Sequence, residues 1–570
     1  MSASSSTTPS STFSPEDEEA FTNWSFSPHE FIMGHNREAS SCFEDNYEMG
    51  ALVGEGGFGK VYSCIHKATG QERAVKVVHM NNSMKQKAVK REFKLLAQLD
   101  HPNLIKTYEL LHDNNNENNY CIVTDLYQGG DLFERVHVHG HLQEAEVAVV
   151  MQRLLCAIHA CHQQQIAHRD VKLENVLVPQ GQGDYSNLKL IDFGLAKEWN
   201  EKNDHKQLLQ PFDDSIGSPS YISPQIIEGQ YSYKCDIWAL GVIAYVLLCG
   251  ELPFGPATDP QQTIRNITNS GDSISFDRPP FYDVNPSCLS FVRQLLTHRE
   301  DERPDAIQAL QHPWLLQLQL LQPPPIMIQS KQQRNSMMTL EKDMQKVLKA
   351  LQRFRSHHCK WKQAVAALLA AQFLSQNERT DTVFRALDPS GNGHVQLQDL
   401  HKAFAMYCGV NGTLEDLQEL LLPITTCTNS TTTMRYSELL AICALEQAAK
   451  QQQKNSSSKK KNLLPAVGGG GECCCVEAVY RYLDPDHKGY ITALDLQRGL
   501  RLEPDTWAAH TGTRMMIAQV SSNNNSQVIS QEMFQQTMLG KRASSSMKLL
   551  PSWTKNMGKF VDDLWSTSKQ

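Results

Sequence analysis

Five short stretches of this chain carry residues suited to handling phosphate. "GEGGFGKV" places Gly54, Gly56 and Gly59 just ahead of Val61. Glycines at this spacing let backbone N–H groups approach phosphate oxygens closely. "RAVKVV" reads as a β-strand and carries Lys76, an ammonium able to reach the α- and β-phosphates of ATP. "REFKLLAQLDHPNLIK" begins as a helical pattern and offers Glu92 to hold that ammonium at a fixed point. "HRDVKLEN" puts Asp170, Lys172 and Asn175 on one loop, and "DFG" adds Asp192. Asp170 can accept the proton of a substrate hydroxyl, and Lys172 can neutralise charge on a phosphoryl group in transit. Asn175 and Asp192 can bind magnesium. Their order along the chain is the order phosphoryl transfer requires. His168 is read as a packing residue, not a proton donor.

A second kind of site lies downstream. An EF-hand loop takes ligands from positions 1, 3, 5, 7, 9 and 12, with Gly at 6 to turn the chain. "DPSGNGHVQLQD" fills these with Asp388, Ser390, Asn392, the His394 carbonyl, Gln396 and Asp399, with Gly393 at the turn. "DPDHKGYITALD" repeats the pattern with Asp484, Asp486, Lys488, the Tyr490 carbonyl and Asp495. Both loops end in Asp where Glu is usual, one methylene short for a bidentate grip, so magnesium competes better. Lys488 puts a positive group at a ligand position. Calcium affinity is therefore expected toward the weak end of the sensor range, on the order of 10⁻⁶–10⁻⁴ M, and stronger at the first loop. Two further segments, 427–438 with Glu438 alone as carboxylate and "SSNNNSQVISQEMF", read as structural companions that bind no metal.

These sites need several domains, and 570 residues exceed one core. The expected division is a Ser/Thr-rich and largely disordered extension at 1–46, a catalytic domain at 47–314 and a junction at 315–377. Helix–loop–helix pairs follow at 378–446 and 473–540, separated by a low-complexity linker at 447–472, with a tail at 541–570. The junction carries apolar Met344, Val347, Leu348, Leu351, Phe354, Trp361, Val365, Leu368 and Phe373 at helical spacing, studded with Lys and Arg. Net charge is −8, which gives no sign of a nucleic-acid surface. No run is apolar enough to span a bilayer, and Ser2 breaks the N-myristoylation pattern. With 15 cysteines and no secretory leader, a reducing, intracellular setting is expected: the cytoplasm, with the nucleus or a membrane surface left open. The triplet Cys473–Cys475 reads as buried or incidental thiols.

Residues 47–314 resemble a eukaryotic protein kinase domain of the calcium/calmodulin-regulated type. Kinase, junction and four hands in this order resemble the calcium-dependent protein kinases of plants and protists, over about 47–540. The fold this implies is an α+β bilobal kinase followed by an all-α, calmodulin-like EF-hand domain. "KLEN" and "GSPSYISP" imply Ser/Thr specificity. The resemblance makes Thr124 the gatekeeper and assigns Leu52, Ala74 and Asp125 to the ATP site with the residues above. It turns Asp131 and Glu174 toward substrate, which favours Arg or Lys about three positions before the acceptor. The implied cofactors are ATP, Mg²⁺ and Ca²⁺. The implied partners are protein substrates, calmodulin as an open candidate, and the junction helix, which either blocks the cleft or inserts into an opened EF-hand groove.

Two positions depart from the family pattern. Ser223-Pro224-Gln225 stands where Ala-Pro-Glu is usual, so Arg303 is expected to be less well compensated. Asp213 and Asp214 could stand in for an activation-loop phosphate opposite Arg169, or be a solvated turn. Three functions stay open on sequence: a calcium-switched Ser/Thr kinase, a kinase with remnant hands regulated by calmodulin or phosphorylation or not at all, and a non-catalytic scaffold.

Overall fold

The computed structural model describes residues 13–23, 42–199, 218–321, 340–348, 378–443 and 479–538, with short gaps inside these ranges. Asp213, Asp214, Cys473–Cys475, the linker, the tail and most of the junction lie outside the described residues.

Residues Pro15–Asn23 form helix α1. Ser14 caps it: its hydroxyl accepts from Asp17 N at 3.1 Å, and its own N–H donates back to the Asp17 carboxylate at 3.2 Å. Phe21 is buried, and Asp17 accepts from the Trp507 indole at 2.9 Å. A local cap and one buried aromatic hold this short helix.

An antiparallel five-stranded sheet follows: β1 (Tyr47–Gly56), β2 (Gly59–His66), β3 (Glu72–His79), β4 (Thr107–Asp113) and β5 (Asn116–Thr124), in the order β1-β2-β3-β5-β4. Helix α2 (Ser83–Gln98) lies between β3 and β4 in the chain. Gly59 has φ +147°, and a Cβ there would meet the Val77 carbonyl at 2.3 Å, so this turn admits only glycine. Register sets Ala74 opposite Thr124, Val61 opposite Lys76 and Leu52 opposite Tyr62. The residues expected around ATP thus lie on neighbouring strands.

Beyond β5 the chain becomes helical. Asp131 caps α3 (Leu132–His139) by accepting from Glu134 N at 2.8 Å. Helix α4 (Glu144–Gln163) starts with a Gln143/Glu146 capping box, and every residue of α5 (Cys235–Cys249) is buried. A helix apolar on all sides has to sit at the centre of a lobe. Phe291, Leu295, Leu296 and Trp314 belong to the same buried core. The Trp314 indole donates to Glu144 at 2.8 Å and closes the lobe.

Two further units are smaller. In the first, α6 (Glu378–Leu387) leads through a loop to β6 (His394–Gln396) and α7 (Leu397–Cys408). Strand β6 pairs antiparallel with β7 (Thr433–Arg435), with Val395 opposite Met434. Met344, Val347 and Leu348 of the junction are buried in the same core as Phe384, Leu400, Phe404, Leu439 and Ile442. In the second unit β8 (Tyr490–Thr492) leads into α8 (Ala493–Gly499) and pairs with β9 (Val528–Ser530), Ile491 opposite Ile529. Helix α9 (Gln531–Met538) follows. Every described cysteine is a free thiol. No helix of the described residues is long and apolar enough to cross a membrane.

Candidate active site

Strand β3 delivers Lys76 to the cleft, where its Nζ lies 2.8 Å from Glu92 Oε1 on α2 and 3.2 Å from Asp192 Oδ1. Burial works against the ammonium, but the two carboxylates outweigh it and lift the Lys76 pKa above the usual lysine value. Asp192 has φ +63° and accepts from Gly194 N at 3.2 Å. Burial would raise its pKa; Lys76 and the Gly194 N–H prevail and hold it below the usual carboxylate range.

Across the cleft the loop 168–175 forms a second cluster. Lys172 Nζ lies 2.8 Å from Asp170 Oδ2. Asn175 Nδ2 donates to the same oxygen at 3.0 Å and to the Asp170 carbonyl at 2.7 Å. The Ile191 N–H donates to the Asn175 carbonyl at 2.9 Å, which ties this loop to the strand leading to Asp192. His168 is buried and passes a bond to the Ile191 carbonyl at 3.0 Å, a packing role as expected.

Asp236, at the start of α5, is a residue the motifs did not point to. Its carboxylate accepts from His168 N at 2.9 Å, Arg169 N at 2.8 Å and His162 Nε2 at 2.9 Å. Arg169 stands at φ +65°, so the carboxylate clamps a strained turn just ahead of Asp170. A buried Asp heading an otherwise apolar helix was the available signal.

The Asp125 side chain is buried, and its Oδ1 accepts from Tyr108 at 2.6 Å near Lys106 and Arg73. Arg303 is placed as the Gln225 substitution implied: one guanidinium N–H reaches Gln225 Oε1 at 2.8 Å, and the others go to the carbonyls of Thr297, Lys234 and His298.

The loop 388–399 turns at Gly393, which has φ +82°. Asp388 is buried. Oδ2 accepts from Gly393 N at 2.8 Å and Oδ1 from Ser390 Oγ at 2.7 Å. Asn392 Oδ1 accepts from His394 N at 2.9 Å. Asp399 lies 3.5 Å from Lys402. The loop packs on the kinase: a Cβ at Gly391 would meet Cys156 Sγ at 2.4 Å, and one at Gly393 the Asp100 carbonyl at 3.0 Å. The Ser437 N–H donates to Asp100 at 3.1 Å. In the loop 484–495, Asp484 likewise accepts from Gly489 N at 2.8 Å, and Lys488 Nζ lies 2.7 Å from Asp495. Glu438, in the companion segment, is buried and caps Arg435 N at 2.8 Å.

Residues 47–315 match the protein kinase domain family. Calcium-dependent protein kinase 5 of Plasmodium falciparum is 30% identical over 418 residues, covering 73% of this chain and 67% of the relative. Calcium-dependent protein kinase 4 of the same organism is 30% identical over 390 residues, 67% of this chain and 68% of the relative. The chain belongs to the calcium-dependent protein kinases. The serine/threonine-protein kinase DCLK3 of Mus musculus is 34% identical over 278 residues, 48% of this chain and 34% of that protein. That match spans a length close to the kinase domain alone, whereas the first two reach well beyond it. This member of the family is a protein serine/threonine kinase.

Glu174 lies on the loop that carries Asp170. Desolvation of its carboxyl raises the Glu174 pKa, and the nearby charge of Asp131 adds to that push.

Proposed function

We propose that this kinase transfers the γ-phosphate of ATP to Ser or Thr hydroxyls in proteins, and that calcium at the loop 388–399 controls it. The observation that carries the reading is Lys76, held between Glu92 and Asp192 and facing the Asp170–Lys172–Asn175 cluster.

In this reading Leu52, Val61, Ala74 and the main chain at Thr124–Asp125 enclose the adenine, while Gly54, Gly56 and Gly59 bring N–H groups to the phosphates. Lys76 orients the α- and β-phosphates. Asn175 and Asp192, an amide and a carboxylate, suit magnesium, which neutralises phosphate charge when bound. Asp170 takes the proton from the attacking hydroxyl, and Lys172 steadies charge on the moving phosphoryl group. Asp131 and Glu174 repel each other, and a basic side chain about three residues before the acceptor relieves that repulsion.

Loops 388–399 and 484–495 with their paired strands are read as EF-hands, 427–438 and the segment around Ile529 as their companions. Asp388, Ser390, Asn392, the His394 carbonyl and Asp399 would hold calcium. The fit rests on Asp388: its hydrogen bonds come from neutral groups, and burial raises its pKa, so a bound cation would relieve the cost of ionising it. The seat of Met344, Val347 and Leu348 in this lobe supports the junction as its ligand, so calcium binding and junction capture share one core.

The test is phosphate transfer from Mg-ATP to a peptide with Arg three residues before Ser, across buffered free calcium. Activity that rises with calcium, loses its rise in Asp388→Ala and vanishes in Asp170→Asn is expected. A calcium-independent rate equal in wild type and Asp388→Ala would remove calcium control and leave a constitutive kinase.

A further inference from the structure

The two loops share one backbone frame. In each, the first carboxylate accepts the N–H of the sixth-position glycine at 2.8 Å, at Gly393 and Gly489. Those glycines have φ +82° and +81°. In each, the central apolar residue, Val395 or Ile491, pairs with a companion strand. The difference lies at the fifth position.

In 388–399 that residue is Asn392, whose side chain folds back onto its own loop. In 484–495 it is Lys488. Its Nζ lies 2.7 Å from Asp495 Oδ1 and 3.6 Å from Asp486 Oδ2, while its backbone N–H donates to Asp484 Oδ1 at 3.0 Å. The other Asp495 oxygen accepts from Thr492 N at 2.8 Å and Thr492 Oγ1 at 2.7 Å. Asp484 and Asp495 are both buried. The positive charge that buried carboxylates need is therefore supplied from within the chain, at a ligand position of the loop.

We propose that the Lys488 ammonium is the resident cation of the loop 484–495, holding the second lobe assembled without metal and excluding calcium from it. A divalent ion and this ammonium would compete for the same Asp495 oxygen, and their mutual repulsion inside one loop disfavours joint occupancy. The lobe then serves as a fixed element, and calcium sensing falls to the loop 388–399. The proposal stands on the geometry of the second loop and does not depend on whether the first controls activity.

The test uses the full chain and two readouts. The first is bound calcium by equilibrium dialysis at millimolar free calcium. Asp484→Ala should bind as much calcium as wild type, and Lys488→Asp one ion more. The second is amide hydrogen exchange at 490–492 and 528–530. Protection there should be the same in EGTA and calcium for wild type. It should fall at least tenfold in EGTA for Lys488→Met, which keeps the side chain's bulk without its charge. Lys488→Asp should lose protection in EGTA and regain it with calcium, so a variant that unfolds without metal still reports. Loss of one bound calcium in Asp484→Ala would overturn the proposal, as would unchanged protection in Lys488→Met.

Discussion

Arg303 donates a guanidinium N–H to the amide oxygen of Gln225 at 2.8 Å, and Gln225 passes its own N–H to the His298 carbonyl at 2.6 Å. The arginine is buried over Trp238, and its nearest acceptors are neutral. Burial pulls its pKa down to about 10, only partly offset by Glu300. Gln225 thus keeps the bond that a glutamate would make but not the charge. Gln225→Ala removes an acceptor from a buried cation and should cost about 2 kcal/mol. Thermal unfolding of the kinase domain checks this; an unchanged Tm would mean the three carbonyls suffice.

The Lys76–Glu92 pair makes a separate prediction. Glu92→Gln preserves a hydrogen bond of similar shape and deletes the charge. A charge-assisted bond is worth about twice a neutral one, so kcat/KM should fall about tenfold to a hundredfold. Lys76→Met should fall further. Steady-state kinetics with Mg-ATP separates the two.

The junction offers a packing test. Met344 is fully buried among Phe384, Phe404 and Leu439. Met344→Ala should destabilise this lobe by about 2–5 kcal/mol through the cavity it leaves. Hydrogen exchange over 378–408 should report faster opening. If only the junction residues exchange faster, the helix is peripheral to that core.

His101 predicts a pH dependence where the lobe meets the kinase. Its Nδ1 accepts from Asn103 N at 3.0 Å, and the ring is buried, with Arg385, Lys189 and Arg153 nearby and Asp100 opposing them. Burial first, then Arg385 and Lys189, push its pKa well below that of free histidine. The unfolded chain therefore takes up a proton near pH 6.5 that the folded chain refuses. Stability is complete above that pH and declines as pH falls below it. Denaturant unfolding between pH 7.5 and 5.5 should show the decline, and His101→Gln should flatten it.

The residues proposed to handle phosphate were legible in the sequence because they fall in unbroken runs. "HRDVKLEN" holds Asp170, Lys172 and Asn175 within six residues, and local geometry alone brings them together. The same holds for the two loops, where the first aspartate and the turning glycine that donates to it lie five residues apart. Lys76 and Glu92, 16 residues apart, were paired through the motif order, and the strand-to-helix turn delivers them.

What the one-dimensional pattern could not give is what distant segments do to each other. Asp236 clamps the turn at Arg169 from 67 residues away, and Asp125 turns its carboxylate into a buried network with Tyr108. Whether Lys488 merely weakens its loop or fills it depends on where a long, rotatable side chain settles, which spacing does not state. Charge balance in the folded loop decides that, because a buried carboxylate recruits the nearest cation that can reach it.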